Sequence, residues 1–224
     1  TPDTITINHD GPGFVIKEGP WAGRKLYDLY QEAHTPPDWF PVLFSCARAC
    51  GIPAFSSVFD KSAVDILEGL GAPAYKISSF DIQDHELIKY VGATGKPVIL
   101  STGMAAAEDI CEADDILGTK PHVFLHCVSG YPTPVSEADL GGIARLNRML
   151  CMPVGLSDHT LGTDVPVAAV AMGTVVIEKH LTLDRADGGP DAGFSLEPDE
   201  FQKLCESVRS IHQALHRETS PPIE

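Results

Sequence analysis

The 224-residue chain is short of cations: 16 Lys and Arg stand against 31 Asp and Glu, a formal charge of −15. A field of that sign repels a phosphate backbone and argues against a nucleic-acid partner, whereas a small anion met by a few local cations stays possible. No apolar run approaches the roughly 18 residues of a membrane span, and no signal-peptide pattern opens the chain, so no membrane partner is expected. The six cysteines (Cys46, Cys50, Cys111, Cys127, Cys151, Cys205) lack framework spacing, which argues against a disulfide scaffold. Most of them fall in apolar runs and read as buried free thiols of a reducing, cytoplasmic protein. A G-x-S-x-G elbow is missing too, so a serine hydrolase has little support. The chain starts without Met, on the loop-like "TPDTITINHDGPG", and its tail "RETSPPIE" (217–224) reads as a linker. The expectation is one domain over 1–216, cut at its start, with 217–224 leading to a further domain.

What is present is a rhythm. Short, continuous apolar runs recur at 54–59, 74–79, 97–102, 122–128, 153–159 and 175–181. Their starts lie about 20 to 30 residues apart, the length of one βα unit. Continuous rather than alternating apolarity suits parallel strands covered on both faces. Helical patterns fill the gaps, among them "DKSAVDILEGLG" with an Asp cap and a Gly stop, and the amphipathic "EPDEFQKLCESVRSIHQALH". Six βα units fit either an open doubly wound α/β sheet or a (β/α)₈ barrel that lacks two units.

Alternate residues of a strand share a face. That parity pairs Ser157 with His159, Glu178 with His180, Lys76 with Ser78, and Phe55 with Ser57, and puts Ser101 at the end of the third run. Ser79 falls just past the end of the second. Asp158 faces away from its neighbours, as a hydrogen-bonding support rather than a triad acid. Polar residues thus cluster at the C-terminal strand ends, where α/β folds build their sites. Two histidines on adjacent strand ends, His159 and His180, suit a divalent metal with open positions, and spacing alone does not exclude zinc. Lys76 in an apolar run needs an anion or a Schiff-base role. The surrounding serines (Ser57, Ser78, Ser79, Ser101, Ser157) favour the anion.

The segments "AYKISSFD", "GKPVILSTGM", "HCVSGYPTP", "GLSDHTLG" and "VIEKHLTLDRADGGPDAGFSL" resemble the sialic-acid (nonulosonic acid) synthase family, and the opening resembles its pseudaminate branch. The resemblance implies a (β/α)₈ TIM barrel, here about six units with strands one and two missing, followed in the family by an antifreeze-like domain. It implies condensation of phosphoenolpyruvate with an N-acetylated amino sugar, with release of phosphate by C–O cleavage. His159 and His180 then resemble metal ligands, for Mn²⁺ with Mg²⁺ as the substitute. Ser57, Lys76, Ser79, Ser101 and Ser157 resemble phosphoenolpyruvate contacts, and Asp81, Tyr131 and Asp191 sugar contacts. The family's catalytic Glu has no counterpart in the chain, so the piece alone is expected to be inactive, and the whole protein to be a homodimer. Val58, Ser129 and Asp81 depart from the commoner Pro, Asn and Glu; the last two bear on which sugar is taken. The other readings are a different metal-dependent barrel enzyme, such as a Schiff-base aldolase on Lys76, and a non-catalytic ligand-binding remnant.

Overall fold

The computed structural model describes residues 1–215; the linker expected at 217–224 lies outside them. The chain divides into two compact units, Thr1–Phe124 and Leu125–Glu224.

The first unit carries helices α1 (Leu26–Ala33), α2 (Phe40–Ala49), α3 (Lys61–Gly69), α4 (His85–Ala93) and α5 (Ala107–Leu117), with strands β1 (Tyr75–Ile77) and β2 (Val98–Ser101). Local chemistry sets the boundaries. Asp60 accepts from the Ala63 N–H at 2.7 Å and opens α3, and Asp84 accepts from the Leu87 N–H at 2.9 Å and opens α4. Gly71 and Gly95, at φ +74° and +72°, take the left-handed turn that ends each helix. Strands β1 and β2 pair in parallel, Lys76 opposite Ile99. Tyr75, Ile77, Val98 and Leu100 are fully buried, as expected of strands covered on both faces.

The second unit takes over within β3 (His122–Cys127) and continues through α6 (Gly141–Leu150), β4 (Gly155–Asp158), α7 (Asp164–Ala171), β5 (Ile177–Lys179) and α8 (Pro198–Leu215). Strands β3, β4 and β5 pair in parallel; Cys127 lies opposite Ser157, Ser157 opposite Glu178, and Asp158 opposite Lys179. Helix α7 packs against α8. The βα alternation read from the sequence is therefore the observed α/β architecture.

Three expectations need correction. The run at 54–59 is not a strand. It makes one parallel bridge, Ser57 to Lys76, through Lys76 N–H to Ser56 (3.2 Å) and Val58 N–H to Lys76 (3.1 Å). Downstream, Asp60 caps α3 and diverts the chain into that helix. Five strands and a bridge thus stand where six strands were expected. Helix α1 was not anticipated: it buries only Leu29 and has no side-chain cap. The cysteines are all free, but only Cys127 is buried; Cys46, Cys50, Cys111 and Cys151 are exposed. On α2 the reason is helical period, since Cys46 lies about 200° around the helix from the buried Phe44.

Candidate functional site

The residues singled out from the sequence form two groups, one in each unit. In the first, Lys76 lies mid-strand on β1 with only 7% of its surface exposed. Its ammonium donates to Ser101 Oγ at 2.8 Å, at the C-terminal end of β2. Because Ser101 accepts that bond, its own hydroxyl proton is directed elsewhere. Ser79 is buried two residues past the end of β1, and Ser57 meets Lys76 through the backbone bridge. Asp81 follows in the same loop, accepting a short hydrogen bond from Ser78 Oγ. Burial raises the Asp81 carboxyl above the usual carboxylate range; Asp84 adds to this, while the Ser78 bond and the Lys76 charge pull it back. The Lys76 ammonium held on the Ser101 hydroxyl is chemistry suited to a small anion.

The second group is built on β4 and β5. His159 follows the last residue of β4 and is buried. Its Nδ1–H donates to the Val128 carbonyl at 3.0 Å, which leaves the lone pair on Nε2. Burial lowers its pKa below the ordinary histidine value; the Val128 bond opposes this, and the neighbouring His180 adds to it. A neutral imidazole with a fixed tautomer is the form that binds a metal. His180 follows the last residue of β5, its ring centroid 5.4 Å from that of His159, and its Nδ1 lies 3.6 Å from Asp191 Oδ2. Two imidazoles sharing one ion at metal–nitrogen bonds of about 2.1 Å hold their centroids roughly 5 Å apart, so the pair fits a divalent ion. Among the described residues no cluster of three or more His, Cys, Asp or Glu is arranged to enclose an ion.

Aromatic rings enclose the imidazoles. Tyr131 lies over His159 with centroids 4.2 Å apart and meets His180 edge-on at 6.2 Å. Phe194 packs 5.1 Å from His180 and 5.6 Å from Tyr131. Tyr131 and Asp191 therefore stand beside the histidines. Phe194 was not singled out from the sequence; its place three residues past Asp191, in the same loop, was the available signal. Glu178 was used only for parity, yet it accepts from Ser157 Oγ at 2.6 Å. That bond uses the Ser157 proton, so Ser157 meets an anion only by turning its hydroxyl from Glu178. Asp158 is on the opposite face, as parity required. It pairs with Lys179 Nζ at 2.6 Å and accepts from the Thr160 N–H and hydroxyl. His126 packs its ring against Gly142 of α6, and its Nε2–H donates to the Ala138 carbonyl, ahead of that helix, at 3.2 Å.

A profile of the NeuB family matches residues 1–220. The chain belongs to the NeuB family. This NeuB chain is 42% identical over 218 residues to the pseudaminic acid synthase of Campylobacter jejuni, covering 96% of itself and 64% of that protein. It is 41% identical over 174 residues to the N,N'-diacetyllegionaminic acid synthase of the same organism, covering 75% of itself and 52% of that protein. Among solved structures it matches the N-acetylneuraminic acid synthetase of Leptospira borgpetersenii with a TM-score of 0.83 and 34% identity, over 88% of this chain and 70% of that one. The NeuB chain thus spans about two thirds or less of the length of these curated relatives, which are nonulosonic acid synthases.

Proposed function

We propose that the whole protein to which this chain belongs condenses phosphoenolpyruvate with an N-acetylated amino sugar to give a nonulosonic acid, within a closed (β/α)₈ barrel. The acceptor favoured by the relatives is a 2,4-diacetamido-6-deoxy hexose, with pseudaminic acid as the product. The observation that carries the reading is the imidazole pair: His159, buried with its Nδ1–H given to the Val128 carbonyl, lies 5.4 Å from His180, with Tyr131 against the first ring and Phe194 against the second.

His159 and His180 would hold a divalent ion, Mn²⁺ or in its place Mg²⁺, which supplies Lewis acidity at the sugar aldehyde. Lys76 and Ser101, with Ser57, Ser79 and Ser157, hold the phosphate and carboxylate of phosphoenolpyruvate, and their contribution is largely positional. Carbon 3 of phosphoenolpyruvate bonds to the aldehyde carbon, water adds at carbon 2, and phosphate leaves with its bridging oxygen. Asp81, Tyr131 and Asp191 orient the sugar. Asp81 accepts from Ser78 Oγ, and burial raises its carboxyl above the usual carboxylate range. Tyr131 packs against His159 and Phe194 against His180, while the His180 side chain stays 32% exposed.

The test is phosphate release by the whole protein with phosphoenolpyruvate and a panel of diacetamido-dideoxy hexoses and N-acetylmannosamine, with products read by mass spectrometry. A product with the summed mass of phosphoenolpyruvate, sugar and one water, less phosphoric acid, is expected, together with loss of metal dependence in His159→Ala and a raised KM for phosphoenolpyruvate in Ser157→Ala. Absence of phosphate release with every sugar, or trapping of pyruvate on Lys76 by borohydride, overturns the reading.

A further inference from the structure

We infer that Asp158 and Lys179 are positioning residues that hold the two site histidines in register, an inference that rests on the metal-site reading above. Their side chains are the most deeply buried ion pair among the described residues, 2% and 1% exposed, with Nζ 2.6 Å from Oδ2. They are register partners and the last residues of β4 and β5. Pairing of β4 with β5 therefore stops one residue short of His159 and of His180; beyond it the two histidine backbones are tied to other segments, His180 through its carbonyl to the Leu196 N–H at 2.9 Å, and no longer to each other.

The ion pair carries the connection past that point. Lys179 donates to the Asp158 carboxylate and also to the Thr160 carbonyl. Asp158 and Thr160 flank His159, so one ammonium ties the chain on both sides of that residue. The same lysine directly precedes His180. Asp158 further accepts from the Thr160 N–H at 3.1 Å and hydroxyl at 2.9 Å, which closes the turn around His159. The His159 carbonyl is itself taken by the Thr133 N–H at 3.0 Å. A buried ion pair gives little net stability over apolar residues of the same size, because desolvation offsets the attraction. Positional control is the better account, since a metal or reacting site tolerates only about 0.5 Å of drift.

The test uses the whole protein, with the wild type compared against Asp158→Asn/Lys179→Met, which removes both charges and leaves neither orphaned, and against Asp158→Glu, which keeps both charges and lengthens one arm. Nitrogen-15 spectra of the imidazoles read the Nδ1–H tautomer of His159 without any metal. Calorimetric titration with Mn²⁺ alone reads affinity, and thermal melting reads the fold. The double variant is expected to melt within a few degrees of the wild type, lose the single-tautomer signature, and bind Mn²⁺ roughly ten- to a hundred-fold more weakly. Asp158→Glu is expected to lose at least about three-fold in affinity, and it decides the matter if the double variant does not fold. A folded variant with the wild-type signature and wild-type Mn²⁺ affinity overturns the inference. If the wild type binds no Mn²⁺ while the variants still lose the signature, the metal reading fails and the positioning role stands.

Discussion

Replacing Gly155 with alanine tests how closely β4 approaches its neighbours beneath the histidines. A Cβ at this position would sit 2.7 Å from the Val176 carbonyl oxygen, 2.9 Å from Val176 Cβ, and well inside contact distance of Leu125 Cδ2. The Leu125 side chain can turn aside. The Val176 oxygen cannot, because it accepts the Leu156 N–H at 2.9 Å and so belongs to the pairing of β4 with β5. Overpacking of a close-packed interior costs about 1–3 kcal/mol, and a backbone obstacle puts this case near about 3 kcal/mol. For a chain of this size that is a fall in Tm of roughly 6–12 °C. Thermal unfolding followed by circular dichroism measures it. Because Ser157 lies two residues further along β4, the same change should also weaken phosphoenolpyruvate binding. A shift under about 2 °C would refute the reasoning, since the strand would then have room that the structure denies it.

Gly69→Ala should move stability the other way: its Cβ meets nothing within 4 Å and it closes helix α3, so up to about 0.5–1 kcal/mol is gained in urea unfolding. Asp60→Ala removes the α3 cap and should lower stability by about 1 kcal/mol in the same assay, with Asp60→Asn recovering most of it. Asp81→Asn tests the raised carboxyl. A raised pKa means that the folded state binds the proton more tightly than the unfolded chain, so the stabilisation is full below the ordinary value of about 3.9 and is lost as pH rises through the folded value. The variant should therefore melt above the wild type at neutral pH, with a gap that closes as pH falls below about 4; a gap independent of pH would count against it.

Strand-level features were legible because a period of two allows no ambiguity. Once 153–159 is a strand, Ser157 and Asp158 must face opposite ways, and the structure has them bonded to Glu178 and Lys179 on opposite faces. The capped helices were legible because Asp60 and Asp84 are local signals. What escaped depends on tertiary partners. Helix α1 is short, buries one residue and carries no cap, so neither period nor chemistry marks it. The run at 54–59 has strand-like composition, yet it makes only one bridge before the turn at Asp60 takes the chain into α3. The Ser157–Glu178 bond and the packing of Phe194 on His180 join residues 21 and 14 positions apart. No local pattern announces them, although the β4–β5 register, once known, predicts the first.

The alternation along β4 and β5 also separates two kinds of heritable change. Ser157, His159, Glu178 and His180 present chemistry, while Asp158 and Lys179 join the strands from the other face and meet none of those side chains in the bonds they make. Substitutions in the first row can retune what is bound without loosening the join. A lone substitution in the second row would disturb every group in the first at once. Lineages that diverge in substrate should therefore vary the loops beyond the presenting row, and leave the two histidines and the joining row untouched.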